Sequence, residues 1–325
     1  MEEFISIVIP VWNGEAFLSG CIHSLQQLTK MPHEIIVVDN GSRDESRGLV
    51  DTLTKEISSI HIIGLACNMG FAYAVNRGMI AARGDIVFLL NQDTVALTEW
   101  DRPVINRFRQ DKQIGIVGCK LFYPDGQVQH AGGQLIEPLW NAQHITKSAE
   151  DTRIDYVTGA AFAIRRSCMT EIGLFDERFQ PAYYEDVDYC LRAKAKGWHV
   201  VLEPAAQFTH YETQSTERGW QADLLSNTQR LRLLIKHRPT HWLNDTFLPA
   251  ERAKLLQQTN MLWLNAMACA YESAALTARS LVLGDTASFA QEDNRVAVKQ
   301  ILDMLFDLRQ LARNRANEVG GVSAR

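Results

Sequence analysis

Along the first hundred residues, short apolar runs alternate with segments whose apolar positions recur every three or four residues. Phe4–Pro10, Glu34–Asp39, Ile60–Ile63 and Ile86–Leu90 are rich in Ile, Val and Leu and predict strands. Between them, Ala16–Leu28 places Phe17, Leu18, Cys21, Ile22, Leu25 and Leu28 on one helical face, and Phe71–Ala82 predicts another helix. Ser42-Arg43-Asp44-Glu45 has the S-x-x-E spacing of a capping box, so a helix is expected to open there. The order β-α-β-α-β-α-β predicts an α/β fold with a doubly wound, mostly parallel sheet and right-handed crossovers.

The run Ile86–Leu90 ends abruptly in Asn91-Gln92-Asp93-Thr94. A buried parallel strand thus delivers an acid at its carboxyl end, the edge where open α/β sheets bind ligands. A carboxylate there suits a hard cation, Mg²⁺ or Mn²⁺, which keeps positions open for phosphate oxygens. Capping of a following helix is the competing role for Asp93.

Beyond Thr94 the pattern loosens. Ile114–Cys119 predicts a strand, Asp125-Gly126 and Gly132-Gly133 mark turns, and a mixed sheet is expected between about 115 and 165. Glu185–Lys196 reads as a helix ending at Gly197, and Trp198–Leu202 as a strand. From about residue 222 the pattern is helical, with Val298, Ile301, Leu302, Leu305, Leu308 and Leu311 forming one apolar stripe. The tail from Glu318 to Arg325 is expected to be disordered.

At 325 residues the chain exceeds one ordinary core, so a large domain with an appendage is expected. A net charge of −5 and a pI near 6.0 argue against nucleic acid as a main partner. The six cysteines are scattered among apolar neighbours without C-x-x-C, which suits reduced, buried thiols. Met1-Glu2-Glu3-Phe4 lacks the basic start of a signal peptide. The longest apolar stretch, Met261–Leu283, is interrupted by Asn265, Glu272 and Arg279. A cytoplasmic location is expected, with peripheral contact at the inner face of a membrane left open.

Four sets of polar groups fall where such a sheet would gather them: Asp39, Asp93, Glu185-Asp186 and His210. Carboxylates could bind ribose or base donors, hold a metal and take a proton, and a neutral imidazole could complete a metal site. Each also has an ordinary role open to it. Asp39-Asn40-Gly41 could be only a turn, Glu185 and Asp186 only helix-dipole partners, and His210 only a hydrogen-bonded surface residue. A dinucleotide-dependent oxidoreductase is disfavoured because the first strand runs into Pro10-Val11-Trp12-Asn13-Gly14, without G-x-G-x-x-G.

Taken in order, these segments resemble family 2 glycosyltransferases, in particular the bacterial rhamnosyltransferase-like branch, over roughly residues 4–240. The resemblance is carried by Val8-Ile9-Pro10-Val11-Trp12-Asn13, Val37-Val38-Asp39-Asn40-Gly41-Ser42, and Asn68-Met69-Gly70-Phe71 with Asn76 and Gly78. It continues through Asn91-Gln92-Asp93 as an N-x-D form of D-x-D, Thr158-Gly159-Ala160, Tyr184-Glu185-Asp186-Val187-Asp188, and His210 followed by Ser215.

The resemblance implies a GT-A type fold, a nucleotide-diphosphate-sugar donor and an inverting mechanism. By that analogy Asp39, Pro10, Val11 and Asn13 form the base pocket, and Asn68, Gly70, Asn76 and Gln92 complete the nucleotide site. Asp93 and His210 would hold Mg²⁺ or Mn²⁺, Asp186 would be the general base, and Asn91, Gly159, Ala160 and Glu185 would meet sugar or acceptor. Residues 1–96 would form the nucleotide-sugar-binding half, 97–245 the acceptor and catalytic half, and 246–325 a helical extension.

Two departures matter. Asn91 replaces the first acid of D-x-D, and the Q-x-x-R-W of processive members is missing, since Gln221 and Arg230 do not recreate it. The expected donor is a UDP- or dTDP-sugar, with rhamnose suggested by the branch, and the expected acceptor a saccharide, a lipid-linked saccharide or another hydroxyl compound. A homodimer through the C-terminal helices is left open. The alternative is a non-catalytic nucleotide-sugar-binding scaffold with a helical interaction tail.

Overall fold

The computed structural model describes residues 3–147, 153–212, 220–283 and 292–323. They group into two compact units, Met1–Gln134 with Gln143–Thr213, and Leu135–Ala142 with Gln214–Arg325. The sequence expectation places a boundary at 245, whereas in this grouping the helix at 220–237 goes with the later helices.

In the first unit, β1 (Ile5–Val11), α1 (Leu18–Leu28), β2 (His33–Asp39), α2 (Ser46–Glu56), β3 (Ile60–Gly64), α3 (Phe71–Ala81) and β4 (Ile86–Leu90) follow the predicted alternation. Then come β5 (Thr94–Ala96), α4 (Asp101–Gln110), β6 (Ile114–Phe122), β7 (Val128–His130), β8 (Gly133–Ile136), β9 (Asn141–His144), β10 (Ala161–Arg165), α5 (Arg166–Ile172), α6 (Glu185–Ala195) and β11 (His199–His210). The main sheet runs β3-β2-β1-β4-β10-β6-β11-β5, with β7 beside β6, and β8 pairs with β9 separately. Neighbours among β3, β2, β1 and β4 are parallel, while β10 is antiparallel to both β4 and β6.

Both faces of the parallel half are covered, which is why its strands read as continuous apolar runs. Ile5, Ile7 and Ile9 pack in one cluster with Leu18, Ile22 and Leu25 of α1 and Val50 of α2. On the other face, α3 sits directly on β1. A Cβ at Gly78 would lie 2.2 Å from Val8 Cγ1, so only glycine permits this approach.

Two local expectations are corrected, and the competing role of Asp93 is set aside. Ser42 does not cap a helix: α2 opens at Ser46, because the Ser42 hydroxyl accepts from the Asn13 N–H and the Ser46 hydroxyl from the Gly14 N–H. Asp93 likewise caps no helix, since β5 follows it directly. The last helix also runs on to Ser323, through most of the tail expected to be disordered.

The second unit contains α7 (Trp220–His237), the short α8 (Thr240–Trp242), α9 (Leu248–Gln257), α10 (Met261–Leu283) and α11 (Glu292–Ser323). No described helix is long and apolar enough to cross a membrane. Of the predicted stripe, Val298, Ile301, Leu305 and Leu308 are buried and Leu302 is exposed. A buried ion pair organises this unit. Arg230 Nη2 donates to Glu251 Oε1 at 2.6 Å, Arg230 Nη1 to the Leu139 carbonyl at 2.8 Å, and Tyr271 Oη to Glu251 Oε1 at 2.8 Å. Burial alone would raise the Glu251 carboxyl, yet the Arg230 guanidinium more than offsets it and holds the group below its ordinary range. Arg230→Ala strands the Glu251 charge, so unfolding free energy measured in urea should fall by about 3–5 kcal/mol. A loss below about 1 kcal/mol, the size of an exposed pair, would contradict this role.

Candidate active site

The turn after β4 presents Asp93. Asn91 N–H donates to the Ala160 carbonyl at 2.9 Å, and the Asn91 carbonyl accepts from Thr94 Oγ1 at 2.6 Å, which folds the chain back into β5. β11 then pairs with β5 in a register that sets His210 opposite Thr94. His210 Nε2 lies 3.4 Å from Asp93 Oδ1, and His210 Nδ1 lies 2.8 Å from Gln129 Oε1. The Gln129 amide is oriented by its other end, since Nε2 faces Glu212 Oε2 at 3.4 Å. Gln129 Oε1 is an acceptor, so in the neutral ring the proton sits on Nδ1 and Nε2 turns a lone pair toward the Asp93 carboxylate.

One imidazole nitrogen 3.4 Å from one carboxylate oxygen is a donor set that fits a divalent cation. Asn91 Oδ1, in the same turn, is buried and makes no hydrogen bond. Among the described residues no group of three or more His, Cys, Asp or Glu side chains forms a metal cage. An ion held by Asp93 and His210 would therefore keep most positions for phosphate and water.

Asp186 is positioned at the start of α6. Tyr183 and Tyr184 both have positive φ, 79° and 67°, a strained approach for non-glycine residues that aims the first helical turn. Asp186 Oδ2 accepts from Gly159 N–H at 2.8 Å and Oδ1 from Val187 N–H at 2.7 Å. Burial raises the Asp186 carboxyl above its ordinary 3.8, and these backbone donors partly oppose it. Glu185 is buried, and its Oε2 makes no hydrogen bond. Burial first, then the neighbouring Asp186 charge, pushes its carboxyl well above 4.5. Burial thus makes both carboxyls harder to ionise than free acids, with the Asp186 charge adding to the effect at Glu185.

The Glu185 shift has a stability consequence with a definite sign. A raised native carboxyl contributes fully below pH 4.5, and that contribution is lost as pH climbs through the elevated value. Glu185→Gln should therefore melt higher than wild type at neutral and alkaline pH, by about 2–4 °C, with the gain vanishing in acid. A Tm difference that does not change with pH would contradict it.

The loop 158–160 joins the two sides. Gly159 holds Asp186, Ala160 holds Asn91, and Thr158 N–H donates to His130 Nε2 at 3.2 Å. Asp93, His210 and Asp186 are thus brought around one segment. His130 is fully buried, and burial keeps its imidazole neutral, well below 6.5. Desolvation by surrounding protein lowers the His144 imidazole, while the Asp186 carboxylate acts in the opposite sense.

The loops after β1, β2 and β4 are laced together at the same sheet edge. Gln92 Oε1 accepts from Trp12 N–H at 2.9 Å and Gln92 Nε2 donates to the Trp12 carbonyl at 3.1 Å. Asn13 Oδ1 accepts from Arg43 N–H at 2.9 Å. Asp39 is buried, with Oδ1 accepting from Ser42 N–H at 3.0 Å, beside the half-buried Pro10 and the buried Val11 on the adjacent strand. Asn68 Oδ1 accepts from Asn40 Nδ2 and Gly70 N–H, which shapes the loop into α3.

The match to known proteins follows this edge. The family model described as glycosyl transferase family 2 matches residues 6–173, just over half of the chain. The chain belongs to glycosyl transferase family 2. The uncharacterized protein y4gI of Sinorhizobium fredii is 28% identical over 274 residues, 79% of this chain and 29% of that protein. The O-antigen biosynthesis protein RfbC of Myxococcus xanthus is 30% identical over 228 residues, 65% of this chain and 17% of that one. The chain thus spans less than a third of the length of either relative. The N-acetylglucosaminyl-diphospho-decaprenol L-rhamnosyltransferase of Mycobacterium tuberculosis is 24% identical over 276 residues, 74% of this chain and 87% of that enzyme.

Two solved structures share the fold of this chain. GalNAc-T7 with UDP, GalNAc and Mn²⁺ matches at a TM-score of 0.59 and 17% identity, covering 72% of this chain and 48% of that one. The mannosyltransferase PcManGT of Pyrobaculum calidifontis with GDP-Man and Mn²⁺ matches at 0.54 and 13%, covering 97% and 87%.

The family match ends before Asp186 and His210, so their placement rests on the geometry above. Ser215 lies outside the described residues. Asn76 does not line an opening: it is buried, its Nδ2 donates to the Phe175 carbonyl at 3.0 Å and Glu177 Oε1 at 2.9 Å, and its Oδ1 accepts from Phe175 N–H. Its amide ties α3 to the segment leading into α6. Gln92 and Asn68 similarly commit amide atoms to the loops. Gln129, His130 and His144 are the residues that sequence reasoning missed, and no spacing or motif marks them. They come from the β7–β9 region, whose pairing is set by tertiary contacts.

Proposed function

We propose that this family 2 glycosyltransferase transfers a single sugar, with inversion, from a nucleotide-diphosphate donor to a hydroxyl acceptor, using a divalent cation. The observation that carries the reading is the loop 158–160, which holds Asp186 through Gly159 and the Asp93 turn through Ala160. In this reaction the acceptor O–H proton passes to Asp186. The acceptor oxygen bonds to the anomeric carbon, and the bond to the donor phosphate breaks with its electron pair on the departing diphosphate. Mg²⁺ or Mn²⁺ held by Asp93 and His210 would offset charge on that diphosphate. Asp39 lies at the carboxyl end of β2, suited to a nucleobase N–H, and Glu185 is suited to a sugar hydroxyl.

The relatives' names favour surface polysaccharide or glycoconjugate assembly, with rhamnose as the sugar and a lipid-linked saccharide among the acceptors, and the resemblance adds a UDP- or dTDP-linked donor. Absence of Q-x-x-R-W favours single transfers over polymerisation. UDP at about 100 times its Kd with Mn²⁺ should add about 2.7 kcal/mol of stability, read as a thermal shift that a chelator abolishes. Transfer and UDP binding that persist unchanged with chelator would remove the metal from this reading.

A further inference from the structure

At the base of the β8–β9 hairpin lies a cavity of about 270 Å³, lined by Gln134, Gln143, His144, Ile145, Thr146 and Lys147. Five of these six side chains carry hydrogen-bonding groups, one is a cation and none is an acid. Such a wall suits a polyol better than an apolar ligand. The volume falls just below the roughly 300 Å³ at which pockets for drug-sized ligands begin, so it holds about one sugar ring.

The wall is held from behind. Ala131 N–H donates to the Ile145 carbonyl at 2.7 Å and Ile145 N–H to the Gly132 carbonyl at 2.8 Å. Gly133 is closed over by Tyr156, where a Cβ would lie 2.2 Å from the ring Cζ. The cavity also shares a residue with the base side of the site. His144 meets the His130 ring edge-on, centroids 4.6 Å apart at 82°, and His130 Nε2 anchors the loop that holds Asp186.

We infer that this cavity is the acceptor subsite, taking one sugar residue that carries an anionic group, with Gln143 and Thr146 facing its hydroxyls and Lys147 its charge, while Gln134 Nε2 donates to the Arg153 carbonyl at 2.9 Å in its wall. This deepens, and rests on, the transferase reading. The shared ligand chemistry is an anionic saccharide, and either a phosphate or a carboxylate could supply the charge.

The test compares glucose 1-phosphate, glucuronic acid and methyl glucoside as probes, with binding read by ligand-observed NMR on the full chain. The wild type should bind at least one anionic sugar about tenfold more tightly than methyl glucoside, and Lys147→Gln should erase that preference. Gln143→Ala should weaken all bound probes by several-fold, in line with one lost hydrogen bond of about 1 kcal/mol. Preference for glucose 1-phosphate alone assigns the charge to phosphate, and equal preference for glucuronic acid assigns it to any anion. Equal binding of all three by wild type, or a preference that survives Lys147→Gln in a variant of normal Tm, overturns the inference. The UDP and Mn²⁺ thermal shift on the same preparation reads the donor site separately. A failed saccharide preference with an intact UDP shift therefore sinks the subsite alone.

Discussion

Asp186→Asn should lower sugar transfer by about 10²–10⁴-fold, the range of a general base, while UDP with Mn²⁺ still raises the melting temperature. The amide nearly matches the carboxylate in shape and retains an oxygen that can accept from Gly159 or Val187, so the start of α6 should survive. What it lacks is a basic oxygen for the acceptor proton. The raised carboxyl adds a second signature. Transfer by wild type should fall on the acid side at a pH above the ordinary aspartate value of 3.8, because the base must ionise to work. Near-normal turnover in Asp186→Asn would end its assignment as base.

Asp93→Asn should fail differently, with loss of Mn²⁺-dependent UDP binding as well as about 10²–10³-fold loss of transfer. His210 would then face an amide, and the pair at 3.4 Å would lose its only formal negative charge. Excess Mn²⁺ should recover part of the loss if the defect is affinity. A variant whose UDP shift keeps its wild-type dependence on Mn²⁺ would move the cation away from Asp93. The two substitutions together separate donor capture from chemistry. Asp93 is tested by nucleotide binding, and Asp186 by turnover with binding preserved.

Much of the fold was legible because apolar periodicity is local. Every strand through β4, together with α1 and α3, appears where its pattern placed it, within about two residues at each end, as expected of hydrogen-bonded boundaries. β11 was read too short, ending at Leu202. Glu203-Pro204 breaks the apolar run, yet the strand continues to His210 across a bulge where the register steps from Glu203 opposite Cys119 to Gln207 opposite Lys120. A bulge can accommodate proline because no ladder hydrogen bond is demanded of it. The Ser42 capping signal failed for a similar reason: a tertiary partner, Asn13 N–H, claims the hydroxyl that the motif assigns to a helix.

From sequence alone came the alternating α/β order, the acid at the end of β4, and the family resemblance that named Asp93, Asp186 and His210. These are properties of runs and motifs, carried by neighbours along the chain. Only the tertiary structure decided that β10 inserts antiparallel beside β4, that His210 registers against β5 next to Asp93, and that its Nδ1 meets Gln129 Oε1. It also decided that the Asn76 amide faces inward to Phe175 rather than toward a ligand. Hydrophobic burial writes a period into the sequence, whereas a hydrogen bond between residues eighty or a hundred positions apart leaves no such trace, because either partner could have bonded to water instead.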